Sequence, residues 1–180
     1  MNVVNTKFEP SNVVAEFPLS VTQEQFWFLD QLHPGNPALN VAIAWDVHGT
    51  FSAKTLERAY RLVIDRHEVL RSRFVEKDGR AVQQVLDHAD FDLDEVDVRS
   101  LAETAKEEQL VAIAAQVARQ PFDLSNTGLI RATMVHISDN HARLLTVAHH
   151  SVYDGFSIGV MGREIGLAAA AYDTGQEPNL

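Results

Sequence analysis

The chain has 180 residues, of which 46% are hydrophobic, and a formal net charge of −10 with a pI near 5.1. A chain of this length can bury about 70% of the surface that its unfolded form exposes, so one domain is expected. No stretch concentrates Lys and Arg, which argues against a nucleic-acid partner and against attraction to a membrane surface. Cysteine is absent, so disulfides and thiolate metal sites are excluded.

The N-terminal segment is interpreted as a lead-in or linker. Residues 1–17 mix Asn, Val, Pro and charged residues without a regular period. They lack the basic start and long apolar segment of a secretory signal, and nowhere does the chain have the ~18 consecutive apolar residues of a membrane span. A cytoplasmic protein is therefore expected.

The first predicted elements are a helix and a strand. Thr22 and Gln25 have the spacing of a capping box, which predicts a helix from about Thr22 to Gln31. Residues 39–47 are rich in β-formers and predict a strand. Ser52 follows at the position expected for the cap of a second helix.

A hairpin and a third helix are predicted next. Residues 69–76 and 81–86 flank Asp78-Gly79, a strong short-range hairpin signal. After an acidic segment, residues 101–119 carry apolar side chains on one side and charges on the other, as a helix does.

The last third predicts two strands and a fourth helix. Residues 129–137 and 142–150 are strand-like runs joined by a short polar segment, and Ser157 is positioned to cap the helix that follows. Four helices and about five strands, some joined as hairpins, predict an α/β (α+β) fold in which a mixed sheet is covered by helices.

The segment HHSVYDG, residues 149–155, carries the chemically most informative pattern. Because side chains alternate across a strand, His149 and His150 are predicted to point to opposite faces and cannot share one proton-transfer task. One is expected to line a cleft while the other packs behind the sheet. Gly155 lets a substrate approach the backbone closely, and amides at such a junction are candidate oxyanion donors.

Simpler interpretations of the same segment remain open. A histidine at a strand end is commonly structural, and Asp154 alone is commonly a turn residue. Metal binding by His149, His150 and Asp154 is disfavoured, because neighbours that face opposite ways make a poor ligand set. Without Cys or a G-x-S-x-G motif, the chemistry that remains is a histidine that activates the substrate's own nucleophile.

Three segments together resemble one family, the condensation domains of nonribosomal peptide synthetases, which share the chloramphenicol-acetyltransferase-like fold. Residues 149–157 resemble its HHxxxDG motif, residues 66–74 its RHExLRTxF motif, and residues 19–29 its opening S-x-A-Q-x-R segment. The departures from the family pattern are Thr22, Gln25, Phe26 and Ser72. The order and spacing of the three motifs match the N-terminal lobe of the family.

The resemblance implies a reaction and a role for each site residue. The reaction is acyl transfer that forms an amide bond, in which His150 positions or deprotonates the acceptor amine and the backbone amide of Gly155 faces the oxyanion. His149 is implied to be a structural support. Asp154 is implied to pair with Arg66 as a second support. Neither a metal nor a cofactor is expected to bind the chain itself.

The resemblance also implies partners and boundaries. Donor and acceptor carrier proteins would supply phosphopantetheine, and residues 18–173 would form the N-terminal lobe, with residues 174–180 leading towards a missing C-terminal lobe. The lone lobe is expected to be weakly active or inactive, or else to self-associate through its exposed lobe interface. An epimerisation domain and a non-catalytic lobe that docks carrier proteins are the alternative functions.

Overall fold

A computed structural model describes residues 12–49 and 52–180, and in those ranges it contains seven strands and four α-helices. The strands are β1 (Val13–Pro18), β2 (Asn40–His48), β3 (Ser72–Lys77), β4 (Arg80–Leu86), β5 (Leu93–Asp97), β6 (Ile130–Ser138) and β7 (His141–His149). The α-helices are α1 (Val21–Leu32), α2 (Ala53–Arg66), α3 (Glu103–Arg119) and α4 (Gly155–Asp173). None of the described helices is both long enough and apolar enough to span a membrane.

The strands form two sheets. The smaller sheet has the order β1-β4-β3 and is antiparallel. The larger has the order β2-β7-β6-β5, in which β5 runs parallel to β6 while the other pairs are antiparallel. The expected α/β (α+β) class with largely antiparallel sheet flanked by helices is confirmed, but the strands divide between two sheets.

Two strands lie where none was predicted. The interpretation of residues 1–17 as a lead-in or linker is wrong for 13–17, which belong to β1 and pair with β4; residues 1–11 lie outside the described residues. β5 lies within the acidic segment before α3. Both strands have mostly exposed side chains, and backbone hydrogen bonds to the partner strand stabilise them. Their sequences therefore show little of the polar–apolar alternation that marks a half-buried strand.

The helix caps differ from the predicted ones. Ser20 caps α1 and exchanges reciprocal hydrogen bonds with Gln23, so the capping box lies two residues before the predicted Thr22. Asp154 caps α4, and Ser157, predicted as the cap, is instead its N3 partner. Residues able to cap occur close together at both starts, and only the backbone dihedrals decide which of them is the cap.

The predicted hairpin is confirmed. Asp78 and Gly79 connect β3 to β4, both with positive φ, as a tight two-residue turn between twisted strands requires. β3 begins only at Ser72, because Glu68–Arg71 form a short 3₁₀-helix that leads from α2 into the strand.

Helices cover both faces of the larger sheet. α2 and α4 pack on one face over the main core, and α3 packs on the other over a smaller core. The neighbours Leu144 and Leu145 on β7 join different cores, as strand alternation requires. β7 is therefore a central strand held on both edges and both faces, and its end provides a rigid base for the segment that follows.

Candidate active site

β7 ends at His149, and the backbone of the next residue, His150, is also held by a hydrogen bond to the polypeptide beside it. The backbone N–H of His149 donates to the carbonyl of Leu129 at 2.9 Å, and that of His150 donates to the carbonyl of Leu39 at 2.8 Å. These carbonyls precede β6 and β2, which flank β7 on opposite sides. Consecutive amides thus bond to opposite neighbours, which fixes the backbone of both histidines.

His149 has the surroundings of a structural residue. Its side chain is buried, and its Nδ1 accepts a hydrogen bond from the backbone N–H of Ser151 at 3.2 Å, with the Ser151 hydroxyl 2.9 Å away. Burial, reinforced by the neighbouring His150, lowers the pKa of His149 to about 4. His149 is therefore neutral near pH 7, and its proton is assigned to Nε2 because Nδ1 accepts.

His150 is exposed, in contrast to its neighbour. Its imidazole lies against the ring of Phe26 on α1, with 5.0 Å between the ring centroids and 38° between the planes. The burial of the two histidines thus differs as strand alternation predicts, and the imidazole of His150 is the one that an incoming molecule can reach.

Asp154 and Gly155 form the start of α4. The Asp154 carboxylate accepts hydrogen bonds from the Ser157 amide at 2.9 Å and the Ser157 hydroxyl at 2.7 Å, which lower the pKa of Asp154. Gly155 is the first residue of the helix, and a Cβ added there would meet no described atom within 4 Å. The first amides of a helix have no intrahelical acceptor and lie at its positive end, so they suit a developing negative charge.

The implied pair between Arg66 and Asp154 is wrong for the described structure. Arg66 Nε lies 3.6 Å from Glu164 Oε1, and Nε2 of His67 lies 2.7 Å from Glu164 Oε2. Arg66 ends α2, which packs along α4, so it meets a residue in the third turn of α4 while the Asp154 carboxylate bonds within its own helix. Glu164 is buried, and a buried carboxylate requires hydrogen-bonding or charged partners, which Arg66 and His67 provide here.

Sequence reasoning did not single out Glu164, although a signal for it existed. Met161, Ile165 and Ala168 have the spacing of one helix face, and they are buried. Glu164 lies on the same face, so a charged residue there indicates a partner from another element.

An apolar cavity of about 390 Å³ lies beside the start of α4. Its walls include Val63 and Leu70 on one side and Tyr153 and Met161 on the other. Burial, together with the charge of Asp154, raises the pKa of Tyr153 to about 12, so the phenol stays neutral. Phe156, also on the wall, is 90% exposed and faces outwards beside Gly155.

The metal alternative gains no support from these contacts. His149 Nδ1 is engaged by Ser151, and the Asp154 carboxylate by the start of α4. Across residues 12–49 and 52–180, no group of three or more His, Asp or Glu side chains is arranged to hold a metal ion. An exposed imidazole, followed five residues later by the positive end of a helix, is better suited to a reaction on an organic carbonyl than to metal coordination.

Comparison with known proteins gives one consistent result. A family model described as "Condensation domain" matches residues 13–180. A linear gramicidin synthase polypeptide from Brevibacillus parabrevis is 37% identical over 176 residues, which is 98% of this chain and 2% of that protein. Phosphinothricin tripeptide synthetase PhsB from Streptomyces viridochromogenes is 37% identical over 171 residues, 95% of this chain and 14% of that protein.

A solved structure shows the fold. The starter condensation domain of rhizomide synthetase RzmA superposes with a TM-score of 0.83 at 22% sequence identity, covering 92% of this chain and 41% of that chain. The likeness shows the chloramphenicol-acetyltransferase-like fold that the motifs implied. The chain spans less than half of that structure and a small share of each synthetase.

Proposed function

This chain belongs to the condensation-domain family of nonribosomal peptide synthetases, and from that membership we propose that it takes part in amide-bond formation between two carrier-tethered substrates. The acceptor's amine attacks the carbonyl carbon of the donor thioester, so a C–N bond forms and the C–S bond breaks. The amine loses a proton, and the donor's phosphopantetheine leaves as a thiol. Both pantetheine arms come from the carrier proteins.

The observations that carry the proposal are the exposed imidazole of His150 and, five residues later in the chain, the N-terminal end of α4. His150 orients the acceptor amine and takes its proton, because His149 is neutral, buried and already engaged through Nδ1. The Gly155 amide faces the carbonyl oxygen as negative charge develops on it, at the positive end of α4. Holding two tethered substrates at this point supplies a further large part of the rate.

The proposed site is completed by a second lobe. At the start of α4 the side chain of Phe156 is 90% exposed. A Cβ added to the neighbouring Gly155 would meet no described atom within 4 Å. A large exposed aromatic side chain next to a reaction centre fits an interface. The isolated lobe is accordingly proposed to be weakly active or inactive by itself.

The test uses a two-lobed condensation domain that contains this chain as its N-terminal lobe, with loaded donor and acceptor carrier proteins. His150→Ala is expected to lower the rate of amide formation, read by intact-protein mass spectrometry, by roughly 10²–10⁴-fold. The matched control is His88→Ala, which removes an exposed histidine paired with Asp87. Unchanged product formation by His150→Ala would refute the catalytic role.

The same assay separates the alternative functions. An epimerisation domain would exchange the substrate's α-proton with solvent deuterium and form no amide bond. A lobe that only docks carrier proteins would bind the loaded carriers, with neither exchange nor product. Either result would overturn the condensation proposal.

A further inference from the structure

We propose that Gln83, which lies outside all three motifs, is a positioning residue for His150; the catalytic part of this inference rests on the proposed function. Gln83 is on β4, and its Oε1 accepts a hydrogen bond from Gln23 Nε2 at 3.2 Å. The same Gln23 nitrogen donates to the carbonyl of Ser151 at 3.3 Å. Gln83 thus reaches the residue that directly follows His150 through one intermediate side chain.

The far end of Gln83 is anchored in the protein interior. Its Nε2 donates to the hydroxyl of Ser72 at 2.9 Å, and Ser72 is fully buried. The Ser72 hydroxyl in turn donates to the backbone carbonyl of Glu68 at 2.8 Å. One chain of hydrogen bonds therefore joins the second motif segment to the first and the third.

The direction of each hydrogen bond in the chain is determined. The Ser72 proton is used on Glu68, so Ser72 accepts and the amide nitrogen of Gln83 must face it. At the other end, Gln23 Oε1 accepts the backbone N–H of Ser20 in the capping box, which turns Gln23 Nε2 towards Gln83 and Ser151. Flipping either amide would set donor against donor, so the chain has one arrangement.

This hydrogen-bond chain holds α1 in place through Gln23. α1 in turn contacts both the backbone next to His150 and the His150 side chain. Gln23 holds the backbone just after His150, and Phe26, three residues later on the same helix, packs on the His150 imidazole. The backbone N–H of Ser151 also donates to Nδ1 of the buried His149, which holds the turn from the interior side. A shift of α1 would therefore move the His150 ring relative to the start of α4.

β4 is a suitable anchor for such a strut because it is the central strand of its sheet. Gln83 pairs with Phe17 on β1 and with Phe74 on β3, so its backbone is held on both sides. Gln84 points to the opposite face, where it accepts from Arg73 and donates to Glu16. It offers a matched control of the same residue type on the same strand.

The first experiment measures geometry in the 180-residue chain and needs no catalysis. Amide resonances of Ser151 and Val152 are compared by NMR in Gln83→Met and Gln84→Met. Both are expected to shift in Gln83→Met, and the ring resonances of His150 to lose part of their ring-current shift from Phe26, whereas Gln84→Met leaves all three unchanged. Unaltered shifts in Gln83→Met, or equal shifts in both variants, would overturn the positioning role.

The second experiment measures kinetics in the two-lobed domain. Gln83→Met is expected to lower kcat about three- to tenfold with little change in KM for the loaded acceptor carrier. The hydrogen bond to Gln23 is lost together with the anchoring bond to Ser72, and no substrate contact is lost. Gln83→Glu keeps an acceptor for Gln23 and is expected to recover part of kcat. The inference would be refuted if Gln83→Met increased KM alone. It would also be refuted if Gln83→Glu recovered no kcat while both variants had the thermal unfolding midpoint of the unmodified domain.

The two experiments keep the positioning role separate from the proposed function. If the unmodified two-lobed domain forms no amide bond, the proposed function fails, while the NMR comparison still decides whether Gln83 positions the turn. Should Gln83→Met fold poorly, Ser72→Ala cuts the same chain at its far end and is expected to shift the Ser151 amide in the same direction; no shift there would overturn the inference.

Discussion

Protonation of His149 is expected to destabilise the fold in a defined pH window. Burial lowers its pKa from 6.5 to about 4, and each pKa unit corresponds to ~1.4 kcal/mol, so the protonated form costs the folded state about 3 kcal/mol. The unfolded chain binds this proton first as the pH falls. Stability is therefore complete above 6.5 and is lost as the pH falls towards 4, with about 2 kcal/mol gone by pH 5.

Urea unfolding of the chain at about pH 7.5 and about pH 5 measures this loss. His149→Gln removes the titrating ring, so its free energy of unfolding is expected to fall less than that of the unmodified chain between the two pH values. His88→Gln, at an exposed site, is expected to keep the full dependence. If the unmodified chain and His149→Gln lost the same free energy to within about 0.5 kcal/mol, the burial argument would be refuted.

Three further substitutions test the contacts around α4, each by urea unfolding near neutral pH. Asp154→Ala is expected to cost about 1 kcal/mol through the lost cap, and an equal loss in Asp154→Asn, which can still cap, would contradict that reasoning. Glu164→Gln is expected to cost about 1 kcal/mol, because a buried carboxylate gives up its ion pair with a half-exposed arginine; no loss would show that the pair is unimportant. Gly166→Ala is expected to raise the free energy of unfolding by about 0.5–1 kcal/mol. Gly162→Ala is expected to raise it less, because the new Cβ would lie 3.1 Å from the Trp45 ring. Equal increases in the two variants would contradict this crowding.

The local geometry of the site follows from patterns that the sequence carries. Alternation along a strand predicts different surroundings for His149 and His150, and the structure shows one buried and one exposed. The same period places Leu144 and Leu145 in separate cores. Both outcomes depend only on backbone periodicity and on the apolar side chains that must be buried, so neighbouring residues suffice to predict them.

Pairings between distant segments needed the tertiary structure. Arg66 was assigned to Asp154 by resemblance, but the packing of α2 along α4 brings it to Glu164. The edge strands β1 and β5, whose side chains are mostly exposed, form because partner strands offer them backbone hydrogen bonds, which their own side chains do not reveal.

Periodicity along the sequence was enough to predict the fold class, the apolar face of the helix over residues 101–119 and the opposite surroundings of His149 and His150, because each depends on a period of two or 3.6 residues. Which of the two histidines is exposed was implied by the family resemblance. The tertiary structure alone decided which polar groups meet. Gln83 and Ser151 are 68 positions apart, and only the packing of α1 between them joins Gln83 to the turn after His150. Hydrogen bonds between polar side chains require partners within about 3 Å, and no local period encodes that proximity.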